Sequence, residues 1–255
     1  MGNKNRFAFF LDIDGTLYSG GRIPMKNRIA LKAAREAGHL VFINTARSMG
    51  NMPEKVKKLK VDGFICSLGC NIIINGKTAR LTTIESDELA RIFDILNDNG
   101  DRFVFEGEKM MICNQNFANE NDWEEIVAAQ NGKDYLLKFY DQPVAKIFVN
   151  GQMTKKSRTE LEKDYVIYQH GNYAEFGMKG SDKASGIKFV QSVFDIDIKN
   201  CVAVGDSLND SAMMEYCGIS VAMGNAPKAV QDMCDIVTVS ADKGGVAQAI
   251  SEIAL

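Results

Sequence analysis

The chain has 255 residues, 45% hydrophobic and 25% charged, a globular composition that excludes disordered, collagen-like and fibrous classes. Its 30 Lys and Arg stand against 33 Asp and Glu, a net charge of −3, which gives no broad positive field for a nucleic-acid partner. No apolar run approaches the roughly 20 residues of a membrane helix or the length of a signal h-region, so the chain is expected to be cytoplasmic, with no membrane partner.

The N-terminal Met1-Gly2-Asn3-Lys4-Asn5-Arg6 opens like a myristoylation signal, but Arg6 stands where Ser or Thr is required. A strand is predicted over residues 7–11, and it runs directly into Asp12-Ile13-Asp14-Gly15-Thr16. A helix follows, with Pro24 near its start, Ile29, Ala30, Ala33, Ala34 and Ala37 at helical spacing, and Gly38 at its end. Further short apolar runs lie at 40–43, 64–66, 201–204, 219–222 and 236–239, and a second strong helix is expected near Pro227. Runs apolar on both faces, alternating with helices, describe parallel strands covered from both sides, so the class is α/β.

The texture changes between 82 and 179. A helix carrying Leu89, Ile92, Phe93 and Leu96 ends at Gly100, then strands are predicted over 103–105 and 110–113. A polar helix over 123–130 is expected next, then a strand over 145–149, a helix over 155–163, and strands over 165–168 and 173–176. Strand pairs joined by short Gly or Asn turns indicate antiparallel pairing and a one-sided sheet. The expected organisation is a discontinuous α/β core, residues 1–81 and 180–255, with an α+β domain inserted at 82–179. Six cysteines without a CxxC pair read as reduced core thiols, and His39 and His170 alone cannot build a histidine-rich metal site. Any metal should be held by oxygen.

In an open parallel sheet, ligands sit beyond the carboxyl ends of the strands, so polar residues following each apolar run carry the chemistry. Asp12 and Asp14 leave one strand end together; Asp-Gly also suits a hairpin, but the preceding strand does not alternate, and an EF-hand is refused by Leu17 and Ile23. Asn44-Thr45-Ala46-Arg47 offers a hydroxyl and a guanidinium for an oxyanion, or simply a helix cap. Lys183 opens a helix with Ile187, Val190 and Val193 on one face, against the dipole preference. Gly205-Asp206-Ser207-Leu208-Asn209-Asp210 follows a buried strand, and alone it reads as a cap with an acidic first turn. Together, converging carboxylates need a hard cation and Thr, Lys and Arg need an anion, the combination of a phosphate site with Mg²⁺. Asn71 to Thr78 ends in Gly-Lys-Thr like a P-loop, yet Asn71 replaces its first Gly, and Asn75-Gly76 fits a type I′ hairpin turn better.

This set of residues resembles the four motifs of the haloacid dehalogenase superfamily, in its Cof-like sugar-phosphatase branch, across essentially the whole chain. The resemblance implies a Rossmann-like core with a mobile α+β cap and Mg²⁺-dependent hydrolysis of small phosphate monoesters. It makes Asp12 the nucleophile and Asp14 the general acid/base. Thr45 and Lys183 would hold the phosphoryl group, and Arg47 is a phosphate-binding candidate from its own place after the second strand. Mg²⁺ would lie on Asp12, the Asp14 carbonyl and Asp206, with Asn209 and Asp210 orienting the phosphate, the lysine and water. The branch often has Asn-Gly-Ala after its third strand, where this chain reads Leu68-Gly69-Cys70. A phosphomutase of the same superfamily and a phospho-acceptor signalling module are the alternatives. The latter needs neither Asp14 nor an inserted domain.

Overall fold

The computed structural model describes residues 6–119 and 126–255. The chain begins β1 (Ala8–Leu11), α1 (Met25–Glu36), β2 (Leu40–Asn44), α2 (Glu54–Lys57), β3 (Gly63–Cys66), β4 (Asn71–Ile74) and β5 (Lys77–Leu81). It continues through α3 (Ser86–Asp98), β6 (Arg102–Gly107), β7 (Met111–Asn114), α4 (Gln115–Ala118), β8 (Ile126–Ala129), α5 (Gly132–Phe139), β9 (Val144–Asn150), α6 (Lys155–Leu161), β10 (Tyr165–Gln169) and β11 (Tyr173–Met178). It closes with α7 (Lys183–Phe194), β12 (Cys201–Gly205), α8 (Ser211–Tyr216), β13 (Ile219–Ala222), α9 (Lys228–Gln231), β14 (Ile236–Val237) and α10 (Gly245–Ala254). The chain divides into two compact units: one comprises Met1–Ala46, Pro53–Arg80 and Asp182–Leu255, the other Arg47–Met52 and Leu81–Ser181.

The first unit is an α/β layer structure on one sheet, ordered β14-β13-β12-β1-β2-β3-β4-β5. From β14 to β3 neighbouring strands are parallel, and β4 turns back antiparallel on β3. Ala8, Phe10, Leu40 and Phe42 pack with Ile187 and Val190 of α7 and Met213 of α8. The alternate residues Phe9, Leu11, Val41 and Ile43 are also fully buried, as a sheet covered on both faces requires. Asn75 and Gly76, at φ of 50° and 74°, form the two-residue turn from β4 to β5, where the Gly-Lys-Thr sequence therefore belongs to a hairpin. All six cysteines are free thiols. Among the described residues, no helix is long and apolar enough to cross a membrane.

Three helix expectations in this unit need correction. The buried stripe of α1 is Asn27, Ala30, Leu31 and Ala34, while Ile29 is 62% exposed. Asn27 occupies the apolar stripe because its Oδ1 accepts the Ala247 amide, 3.0 Å away, at the start of α10. Val193 on α7 is likewise exposed, the helix burying Ile187 and Val190 alone of the three expected residues. The helix after Pro227 is only the single turn α9, turning Val230 inward.

The second unit holds a six-stranded sheet, β10-β11-β9-β6-β7-β8, antiparallel except for the β7–β8 pair. One face carries Phe103, Phe105, Ile112, Ile147, Val149 and Phe176 into a core with Phe93 of α3 and Tyr135 of α5. The expected helix over 123–130 is replaced in its described part by strand β8, since Ile126 to Ala129 is a short apolar run that pairs with β7; residues 123–125 lie outside the described residues, as do 1–5 of the N-terminal motif. The opposite face is not simply solvated: Val104, Met111 and Cys113 pack with Phe117 of α4. Beside them Lys146 is buried between Glu106, 3.3 Å away, and Glu175, 2.6 Å away. Burial would raise the Glu175 carboxyl, but Lys146 and His170 outweigh it and hold Glu175 down at about 2.

Phe93 lies 4.8 Å from Phe103 and 5.7 Å from Phe105, ring centre to ring centre, and is fully buried. Phe93→Ala is therefore expected to destabilise this unit by about 3–5 kcal/mol, read as a lowered urea midpoint in Phe-rich-core fluorescence or circular dichroism. A loss under about 1 kcal/mol would mean the aromatic cluster is not a tightly packed core.

Candidate active site

β1, β2 and β12 are adjacent and parallel, so their carboxyl ends open on one edge of the sheet. Asp12 is the first residue past β1, its amide donating to Val204 O at 3.0 Å, and it is 6% exposed. Thr45, past the end of β2, is buried, with its amide on Ile65 O at 2.9 Å. Asp206 follows β12. The sheet register alone thus gathers residues from motifs far apart in sequence.

Lys183 joins them from α7. Asp182 caps that helix, its carboxylate accepting the Ser185 amide at 2.6 Å, and the Asn44 side-chain amide donates to Lys183 O at 3.0 Å. A lysine in the first turn opposes the helix dipole. Here two carboxylates offset that cost: Lys183 Nζ lies 2.7 Å from Asp12 Oδ1 and 2.5 Å from Asp210 Oδ1, with Asn209 Oδ1 at 3.4 Å. Lys183 is 1% exposed and Asp210 fully buried. The other Asp210 oxygen accepts the amides of Asp206 and Ser207, at 3.0 and 3.1 Å. Asp210 therefore closes its own turn and orients the lysine.

Asp206 is held by neutral donors. Thr16 Oγ1 donates to its Oδ1 and Asn225 Nδ2 to its Oδ2, both at 3.3 Å. Gly15 lies against it so closely that a Cβ there would sit 2.2 Å from Asp206 Oδ2, and its φ of 77° favours glycine independently. Asp14 is exposed, at the turn where the chain bridges back to Tyr18. Arg47 lies in the second unit, where its Nη1 donates to Asn51 O at 2.9 Å.

Asp12, Asp206 and Asp210 each offer a carboxylate oxygen, and these atoms lie within 4.8 Å of one another. Three carboxylates face one ammonium, and burial together with this surplus negative charge raises Asp12 and Asp206. Burial pushes the Asp12 carboxyl up to about 7, against the pull of Lys183 and aided by Asp210 and Asp206. Burial and the Asp210 charge raise Asp206 to about 6. Burial would lower Lys183, yet Asp12 and Asp210 outweigh it and hold the ammonium above its ordinary range. Asp210 is committed to the Lys183 ammonium and two backbone amides, whereas Asp206 meets only neutral side-chain donors and Asp12 meets Lys183 through one oxygen, so Asp12 and Asp206 keep the capacity to take a cation. An all-oxygen donor set with excess negative charge fits a hard divalent ion.

The family model for haloacid dehalogenase-like hydrolases matches residues 9–250. The chain belongs to this family. The hydrolase is 28% identical to YkrA of Bacillus subtilis, over 96% of this chain and 97% of that one. It is 26% identical to the protein named phosphatase YwpJ of the same organism, over 95% and 98%. Among solved structures it is similar to the HAD subclass IIB sugar phosphatase BT4131, with a TM-score of 0.77, 25% identity, and coverage of 96% and 98%. The phosphatase BT1666 from Bacteroides thetaiotaomicron shares the fold, with a TM-score of 0.83 over 99% of this chain and 96% of that one.

One residue of this edge escaped the sequence reading. Asn225 stands three residues past the end of β13, whereas Asp206 is the first residue past β12, so the rule of strand ends reaches it only when extended over the whole loop that follows the strand.

The raised carboxyls set a pH dependence. A carboxyl whose folded pKa lies above its unfolded value binds extra protons when folded, so its contribution is complete below about pH 4 and is lost as pH rises through the folded value. In EDTA, stability is expected to fall by about 2 kcal/mol from Asp12 alone between pH 5 and 8. Urea titrations across this range check it; a flat profile in EDTA would mean the cluster carries no such strain. Glu175, held at about 2, acts only at more acid pH.

Proposed function

We propose that this hydrolase is a Mg²⁺-dependent phosphatase that acts on small phosphate monoesters, of the sugar-phosphate kind, through an aspartyl-phosphate on Asp12. The observation that supports this most is the buried Lys183 bridging Asp12 and Asp210 at 2.7 and 2.5 Å, with Asp206 alongside: a nucleophile, a fixed cation and an open demand for a second one. The Asp12 and Asp206 carboxylates, with the Asp14 carbonyl, would hold Mg²⁺. When bound, the ion neutralises charge on the phosphoryl oxygens. Names of relatives such as phosphatase YwpJ and the structural likeness to a sugar phosphatase support the same reading.

The chain's own groups supply the rest. Lys183 and Thr45 hold the phosphoryl oxygens, with Asn209 as a further phosphate contact. An Asp12 oxygen bonds to phosphorus as the bond to the ester oxygen breaks, and Asp14 gives its proton to the departing oxygen. Water then attacks phosphorus, Asp14 takes its proton, the bond to Asp12 breaks, and phosphate leaves with the carboxylate regenerated. The second unit serves as the cap that selects the substrate. The partner is a small phosphorylated metabolite of the cytoplasm, and no nucleic acid is involved.

Exhaustive chelation is expected to abolish phosphate release from a panel of sugar phosphates, and added Mg²⁺ to restore it. Asp12→Asn should lower kcat by about 10⁴-fold on every substrate, because no other group attacks phosphorus. Activity that survives chelation would overturn the metal reading, and isomer formation in place of free phosphate would make the enzyme a mutase.

Asp14→Asn separates acid from base. With an aryl phosphate, whose phenol departs unaided, the variant should give a rapid burst of about one phenol per site and then slow release as phosphoenzyme accumulates. Alkyl phosphates should suffer in both steps. Rapid-quench kinetics measure this; equal losses on both substrates without a burst would remove Asp14 from proton transfer.

A further inference from the structure

We infer that Asn225 is a positioning residue for the cation site, an outer partner that aims the Asp206 carboxylate. The inference rests on the Mg²⁺ reading above. Asn225 lies on the loop between β13 and α9, and it engages three separate segments with one side chain. Its Nδ2 donates to Gly15 O at 2.9 Å and to Asp206 Oδ2 at 3.3 Å, while its Oδ1 accepts the Ala241 amide at 2.8 Å. The loop itself is anchored, with the Met223 amide on Gly205 O at 2.9 Å and the Gly224 amide on Val239 O at 3.2 Å. The side chain is exposed, so hydrophobic packing does not explain its placement.

What Asn225 holds is informative. Asp206 Oδ1 is fixed by Thr16 and Oδ2 by Asn225, so the carboxylate plane is set from two sides by neutral donors. Neutral donors orient an anion without cancelling its charge, which leaves the full negative charge to attract a cation; a lysine in the same place would compete with that ion. Groups that orient a ligating carboxylate typically matter about 10–100-fold for metal affinity. Asn225 also ties Gly15 O to the same carboxylate, so the loop bearing Asp14 and the loop bearing Asp206 are locked in one geometry before any ion arrives. That preorganisation lowers the ordering cost of binding.

The test uses the full-length enzyme and Mn²⁺, whose free-ion electron paramagnetic resonance signal reports binding without turnover. Asn225→Ala should raise the Mn²⁺ Kd about tenfold, while the melting temperature in EDTA stays close to wild type, as for an exposed position. The Mg²⁺ concentration for half-maximal rate should rise in parallel, with the rate at saturating Mg²⁺ recovering most of its value. Asn225→Ser, whose hydroxyl is too short to span both partners, should behave the same and serves if the alanine variant is poorly folded. An unchanged Mn²⁺ Kd in a folded variant overturns the inference alone. A lowered melting temperature in EDTA with an unchanged Kd for the folded fraction reduces Asn225 to a structural loop clamp and also overturns it. A wild-type enzyme that binds no Mn²⁺ overturns this inference together with the metal reading it rests on.

Discussion

Lys183 sits at 1% exposure between the carboxylates of Asp12 and Asp210, and the geometry of the whole sheet edge follows from that burial. An unpaired ammonium there would be prohibitively costly, and removing one partner of such a pair typically costs about 3–5 kcal/mol. The contact fastens the end of β1 to the start of α7, 171 residues later, and to the turn after β12. It also leaves the site short of positive charge. One ammonium among three carboxylates is enough to fold the edge and too little to neutralise it, so the same arrangement that holds the fold leaves a surplus of negative charge at the strand ends.

The order of donors around the carboxylates divides their labour. Asp210 spends both oxygens on the protein, one on Lys183 and one on two backbone amides. Asp206 receives only neutral donors, and Asp12 meets the lysine with one oxygen. Three residues of one chemical type thus differ in how they are held: Asp210 wholly by the protein, Asp206 by neutral donors and Asp12 by the lysine, each set by what its neighbours donate.

The core strands were readable because parallel strands buried on both faces must be continuously apolar: the chain at 7–11, 40–43 and 201–204 has no other use for such runs. Asp12, Asp206 and Lys183 were readable because each stands where a strand or helix meets the open edge. Side-chain register on single helices was less legible. Ile29 is apolar yet exposed, and Asn27 is polar yet buried, because a hydrogen bond to Ala247 across 220 residues decides the face, and no local pattern encodes it. In the second unit the stretch at 126–129 was too short for periodicity to tell strand from helix, and pairing with β7 settles it. Helix α5 went unread although Asn131 caps it, its side chain accepting the Asp134 amide at 2.9 Å.

The position of β1 has a consequence for how the polypeptide is made. Its neighbours are β2, the next strand to be synthesised, and β12, one of the last. During translation β1 therefore waits with one hydrogen-bonding edge bare, a template for pairing with other chains, until some 190 further residues have left the ribosome. The segment Leu81–Ser181 is nearly self-contained and can collapse during that interval. Contacts of such long sequence separation predict slow closure of the core. The nascent chain is thus most exposed to aggregation just before its active site comes into existence, and it is in that window that a chaperone would find its client.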